Sequence, residues 1–225
     1  MAWQRFDEQS ARMKSQSLIE LFEATADRYQ QFSMRCGAIS LDYSKNHIDT
    51  QAMDALMHLA QAANVPASIA AMFSGNKINN TEGRAVGHVA LRATKHQQFV
   101  VDGVDQIPAV LAQRTLCYQF AQAVRSGAWL GETGKRITDV VNIGTGGSDL
   151  GARMTIMALK QYESRDVNLH FVSNIDGHDL FEKLAHLSVD TTLFIISSKT
   201  FRTQETMTNA AKAKAWFLEI GRAHV

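Results

Sequence analysis

The chain has 225 residues, 45% of them hydrophobic, 20% charged and two of them proline, which excludes a disordered or fibrous protein and exceeds the roughly 150 residues usual for one domain. Its net charge of +1 comes from scattered lysines and arginines, so the basic patch of a nucleic-acid binder is missing. Cys36 and Cys117 lack the spacing of a zinc site or disulfide framework, and without a signal h-region or an apolar run of about 18 residues the expectation is a cytoplasmic protein with no membrane span.

Leu18, Leu21, Phe22, Ala26 and Tyr29 recur at three and four residues and predict one helix that fades near Phe32. Cys36 to Tyr43 alternates weakly, the pattern of a short strand pair. Asp49 or Thr50 caps a second helix with an inner face of Met53, Leu56, Met57, Ala60 and Ala63; Pro66 then suits a first helical turn and Gly75 a stop. A third helix fits Ile107, Val110, Leu111, Cys117, Ala121 and Val124 and ends near Gly127. Residues 1–127 are therefore predicted to be a mainly helical region.

At Arg136 the period changes. Ile137 to Ile143 reads as a strand, Gly144-Thr-Gly-Gly-Ser148 as a tight loop and Asp149 to Tyr162 as a helix. Val167 to Ser173 and Gly177 to Leu187 form a second strand and helix, Thr191 to Ser197 and Thr203 to Leu218 a third. Three such cycles in succession predict a parallel, doubly wound sheet over 128–225. Natural sheets run to about five or six strands, so the subdomain is expected to be truncated at its C-terminal side. Gly221 to Val225 neither continue the apolar period of Trp216, Phe217 and Ile220 nor supply a fourth strand.

In open α/β sheets ligands bind beyond the carboxyl ends of the strands, so loops 144–148, 173–177 and 197–203 are expected to converge on one crevice. Two of them suit an anion. The glycines of 144–148, Gly147 among them, let backbone approach a phosphate, and Ser148 adds a hydroxyl at the head of a helix; alone, this is also an ordinary tight turn. Ser198, Lys199, Thr200 and Thr203 place four donors at a strand-to-helix junction where capping needs one, and Lys199 supplies a point charge. Arg202 adds a cation beside Lys199 or is simply exposed.

Two nucleotide motifs fail. The last glycine of a dinucleotide fingerprint falls at Asp149, and a P-loop needs lysine after its final glycine, where Ser148 stands. His170, His178 and His186 are evenly spaced but fall on different elements, so no metal site is expected. Asp149 and Glu205 lie near the crevice, or favour the positive ends of helices.

At these residues the chain closely resembles the glucose-6-phosphate isomerase family. The matching segments are Lys77 to Ala85, His88 to Arg92, Ile143 to Gly151, Phe171 to Gly177 and Ser198-Lys-Thr-Phe-Arg-Thr-Gln-Glu-Thr-Met-Thr-Asn209. The resemblance implies an α/β fold, a helical N-terminal region followed by an incomplete parallel-sheet α/β/α sandwich of the sugar-isomerase (SIS) type. It implies cofactor-free, reversible interconversion of glucose 6-phosphate and fructose 6-phosphate through an enediol, in glycolysis and gluconeogenesis, by a homodimer.

By the same resemblance, Gly147 and Ser148 contact the sugar phosphate. Ser198, Lys199, Thr200 and Thr203 hold the phosphate itself, within a substrate loop that includes Phe201 and Arg202. The glutamate base, ring-opening histidine and catalytic lysine of the family lie beyond position 225, so the chain is expected to be an inactive N-terminal fragment. The alternative is a stand-alone, non-catalytic sugar-phosphate-binding module. The chain departs from the family at Gly87, where a bulky apolar residue is usual, at Thr145 for isoleucine, at Ala152 for proline and at Arg202 for threonine.

Overall fold

The structure, a computed structural model, describes residues 1–162 and 166–222. The chain divides into two compact units, Met1–Leu111 and Ala112–Val225.

In the first unit, α1 (Ala2–Met13), α2 (Leu18–Glu23) and α3 (Arg28–Gln31) precede a hairpin of β1 (Ser33–Cys36) and β2 (Ile39–Asp42), turned by Gly37 at φ +58°. The single helix expected from Leu18 is thus two. Ser17 starts α2 with a reciprocal capping box to Glu20. Arg28 ends the continuity, because its guanidinium is buried between the rings of Phe22 and Phe32, 5.3 and 4.6 Å away, and donates to the carbonyls of Ser44, Asn46 and Ile48.

Helix α4 (Thr50–Ala62) is capped by Asp49, whose carboxylate accepts from the Ala52 amide. Its buried residues are Ala52 and Ala55, while Met57 is exposed, which corrects the inner face read from the sequence. Small side chains on this face allow close packing with α1, a helix the sequence reading passed over. Helix α5 (Val65–Phe73) carries Pro66 in its first turn and is followed by Gly75 at φ +83°, where a Cβ would lie 2.2 Å from the Val100 carbonyl oxygen.

A second missed hairpin pairs β3 (Val100–Val101) with β4 (Val104–Asp105). Its turn is Asp102-Gly103, both at positive φ, the dipeptide that a type I′ hairpin favours. Ala90, Ala93, Phe99 and Ile107 close a core beneath it. Helix α6 (Ile107–Ser126) crosses from the first unit into the second and ends at Gly127, φ +76°.

The second unit is built on β5 (Asp139–Ile143), α7 (Leu150–Ala158), β6 (Asn168–Val172), α8 (Gly177–Leu184), β7 (Thr192–Ile196) and α9 (Gln204–Arg222). Ala223 to Val225 lie outside the described residues. The sheet is parallel with order β6-β5-β7; Ile143 pairs with Val172 on one side and Ile196 on the other. The central strand is buried on both faces, which is why Val140, Val141 and Ile143 read as a near-continuous apolar run.

Val141, Ile143 and Val172 pack under Leu180 and Leu184 of α8 and Ala213 of α9, with Trp216 edge-to-face on Phe194. On the opposite face Val140 meets Val124 of α6 and Ile137. At the amino ends of the strands, burial pushes the Asp139 carboxyl up, but hydrogen bonds from His170, Thr138 and Asn168 outweigh it and hold it below the usual carboxylate range. Among the described residues no helix is long and apolar enough to cross a membrane.

Candidate functional site

The strand order places a topological switch at β5: the chain leaves it for β6 on one side and returns to β7 on the other. The loops after β5 and β7 therefore leave neighbouring strands in the same direction, where open α/β sheets bind ligands. The Ser197 amide donates to the Ile143 carbonyl at 2.8 Å and the Gly144 amide to the Val172 carbonyl at 3.1 Å, so strand pairing continues up to the start of both loops.

Loop 144–148 turns tightly. A Cβ on Gly144 would lie 2.6 Å from the Ser148 carbonyl oxygen, and Gly146 sits at φ +57°. The space beside Gly147 is open, as a backbone that receives a ligand requires. Ser148 is half-buried just before α7. Asp149, at the same helix start, is buried and accepts two hydrogen bonds from Arg153, at 3.2 and 3.0 Å, so it belongs to the framework under the loop.

Loop 197–203 closes on its own hydroxyls. Ser198 Oγ accepts from the Phe201 amide at 3.0 Å and lies 3.4 Å from Thr203 Oγ1. Phe201 adopts φ +53°, unusual for an aromatic residue, with its ring exposed. Ser198 and Thr203 are half-buried, while Lys199, Thr200 and Arg202 stand at the exposed rim. Thr203 immediately precedes α9, whose first-turn amides and dipole favour an anion.

The loop after β6 joins the other two. Thr145 Oγ1 contacts Thr206 Oγ1 at 3.2 Å and the Ser173 carbonyl at 3.4 Å, Arg153 reaches Ser173 Oγ at 3.2 Å, and Asn209 Nδ2 donates to the Asn174 carbonyl at 2.7 Å. Thr206 and Asn209, both buried, escaped the sequence reading, as did Asn142 and Ser197. The available signal was a lone amide, Asn142, inside an apolar strand, and polar residues on the inner face of a helix.

The three histidines stand apart: His170 on β6 with Asp139, His178 exposed in the first turn of α8 and His186 exposed after it. Among the described residues no group of three or more His, Cys, Asp or Glu side chains is placed to hold a metal ion.

Residues 42–225 match the family described as phosphoglucose isomerase. The chain belongs to the phosphoglucose isomerase family. It is 49% identical over 221 residues to glucose-6-phosphate isomerase 1 of Chromobacterium violaceum, covering 98% of this chain and 40% of that protein. It is 49% identical over 217 residues to glucose-6-phosphate isomerase of Deinococcus radiodurans, covering 96% and 40%, and 46% over 218 residues to that of Methylococcus capsulatus, covering 97% and 40%. The chain thus spans about 40% of the length of the curated relatives it matches.

The fold is shared with the crystal structure of a glucose-6-phosphate isomerase from Chlamydia trachomatis, at TM-score 0.70 and 24% identity over 88% of this chain and 38% of that one. Within this phosphoglucose isomerase chain, Thr145, a departure from the family pattern, supplies the hydroxyl that meets Thr206.

Proposed function

We propose that this chain forms the phosphate-holding part of a glucose-6-phosphate isomerase, which interconverts glucose 6-phosphate and fructose 6-phosphate through an enediol. The observation that carries the reading is the pair of glycine- and hydroxyl-rich loops leaving adjacent strands β5 and β7 at the switch point. Ser198, Lys199, Thr200 and Thr203 hold the phosphate, Gly147 and Ser148 contact the sugar phosphate from the facing loop, and Phe201 and Arg202 complete the rim. The relatives' printed names support the substrate, a hexose 6-phosphate.

Moving a proton between the first two sugar carbons needs a carboxylate base, and opening the ring needs an acid and a base. None of the loop residues supplies these, so the chain alone binds without turning over, and the complete enzyme works as a cytoplasmic homodimer without nucleic-acid or membrane partners. The near-neutral charge and scattered cations support the last point.

Titrating the purified chain with glucose 6-phosphate at low and physiological salt tests this. Binding should weaken with salt, as expected for a rim screened over about 8 Å at physiological ionic strength, and Lys199→Met should cost about tenfold in affinity. Absence of binding at low salt, or unchanged binding by Lys199→Met, overturns the site. Substantial aldose–ketose interconversion by this chain overturns its inactivity.

A further inference from the structure

Asn142 is the fourth residue of β5, and its side chain belongs to neither apolar cluster flanking the sheet. Its carboxamide reaches both anion loops. Nδ2 donates to the Ser148 carbonyl at 3.3 Å, and Oδ1 accepts from Ser197 Oγ at 2.8 Å. Ser148 closes the first loop and Ser197 opens the second. One rigid planar group therefore spans two segments far apart in sequence, donating to one and accepting from the other, which an amide of this size does and a carboxylate cannot.

On the other side of the strand ends the Thr145–Thr206 hydroxyl contact ties the first loop to α9. The two loops are held from both sides. A dianion gripped by donors from both loops is sensitive to their separation, since hydrogen bonds weaken steeply with distance and misalignment.

We propose that Asn142 is a positioning residue: without touching the phosphate, its carboxamide sets the spacing of loops 144–148 and 197–203, and so the affinity for the phosphate ester. This rests on the phosphate site proposed above. Its distinguishing property is a dependence on pH that a space-filling role would lack. In Asn142→Asp the shape is kept, but the ionised carboxylate offers no donor to the Ser148 carbonyl and repels it. Protonated, the same group regains one O–H donor beside one acceptor and restores the bridge.

Affinity for glucose 6-phosphate is measured for the native chain and for Asn142→Asp from pH 7 downward, and compared as a ratio at each pH, so that the titration of the phosphate itself cancels. At pH 7 the variant should bind about tenfold more weakly, a loss of one charge-sensitive bridge. As pH falls through the carboxyl range near 4, the ratio should return toward one. Ser197→Ala, which leaves β5 untouched, should show part of the loss at every pH. Equal affinity at pH 7, or a ratio that does not change with pH, overturns the proposal.

If the native chain binds neither glucose 6-phosphate nor inorganic phosphate, the phosphate site is wrong, and hydrogen exchange in the absence of ligand decides the positioning role by itself. Asn142→Ala should then speed exchange in both 144–148 and 197–203 while α8 is unchanged; unaltered exchange in either loop overturns it.

Discussion

Gly144 has no room for a methyl group. A Cβ placed there would lie 2.6 Å from the Ser148 carbonyl oxygen and 3.0 Å from its carbon, both backbone atoms that cannot rotate away. Gly144→Ala is therefore expected to cost about 1–3 kcal/mol, the range for overpacking, by forcing the first loop open. Chemical denaturation of the native and variant chains measures it, and a change below about 0.5 kcal/mol, the ordinary surface range, refutes it. Glycine was legible at this position as a loop former, but its close approach to Ser148 was not, since no spacing rule reports a neighbour four residues on. Arg28 teaches the same lesson from the other side. Within an amphipathic pattern it reads as a solvated residue, yet it is 1% exposed, stacked between Phe22 and Phe32 and bonded to three carbonyls. Long-range partners of that kind are invisible to periodicity.

The elements of the second unit were the most legible. The strands end within two residues of expectation because β5 is buried on both faces and its neighbours share its apolar run, while glycines and hydroxyls punctuate the turns. Helix α4 was placed correctly by its cap, but its inner face was not: large Met and Leu side chains were taken for the core where Ala52 and Ala55 make the contact. The cap carries a testable pH dependence. A two-pronged contact from Arg12, with both N···O distances 2.7 Å, then the Ala52 amide, hold the Asp49 carboxyl below its usual range. A carboxyl depressed on folding stabilises above its unfolded value, near 4, and that stabilisation disappears as pH falls through the folded value. Both side chains are a quarter to a third exposed, so the contribution is within about 1 kcal/mol. Thermal melts from pH 6 to pH 3 should show the native chain losing more stability than Asp49→Asn, which keeps a cap acceptor but no charge. Parallel losses would show that the pair contributes nothing.

Across the molecule, apolar surface is covered unevenly. One face of the three-stranded sheet is sealed by α8 and α9, while the other borders a cavity of about 420 Å³ lined by Phe120, Val140, Ile156, Leu193 and Ile195. Beside it α7 has no buried residue, and Leu150, Met154 and Met157 are 64, 66 and 71% exposed. Exposed apolar surface of this extent is expected to bind an apolar fluorescent dye in the folded state. The double substitution Met154→Lys, Met157→Lys should lower that fluorescence while leaving the melting temperature within a few degrees, since neither residue is buried; unchanged fluorescence would place the dye elsewhere. The sheet order has one more consequence, in time. β5 lies between two strands that both follow it in the chain, and its partner in β7 begins at Thr192. On the ribosome, at 5–20 residues per second, Val140, Val141 and Ile143 wait about 3–10 s for that edge to be made. The central strand of the phosphate site is the first to be synthesised and among the last to be enclosed, so a holding chaperone has that interval in which to meet it.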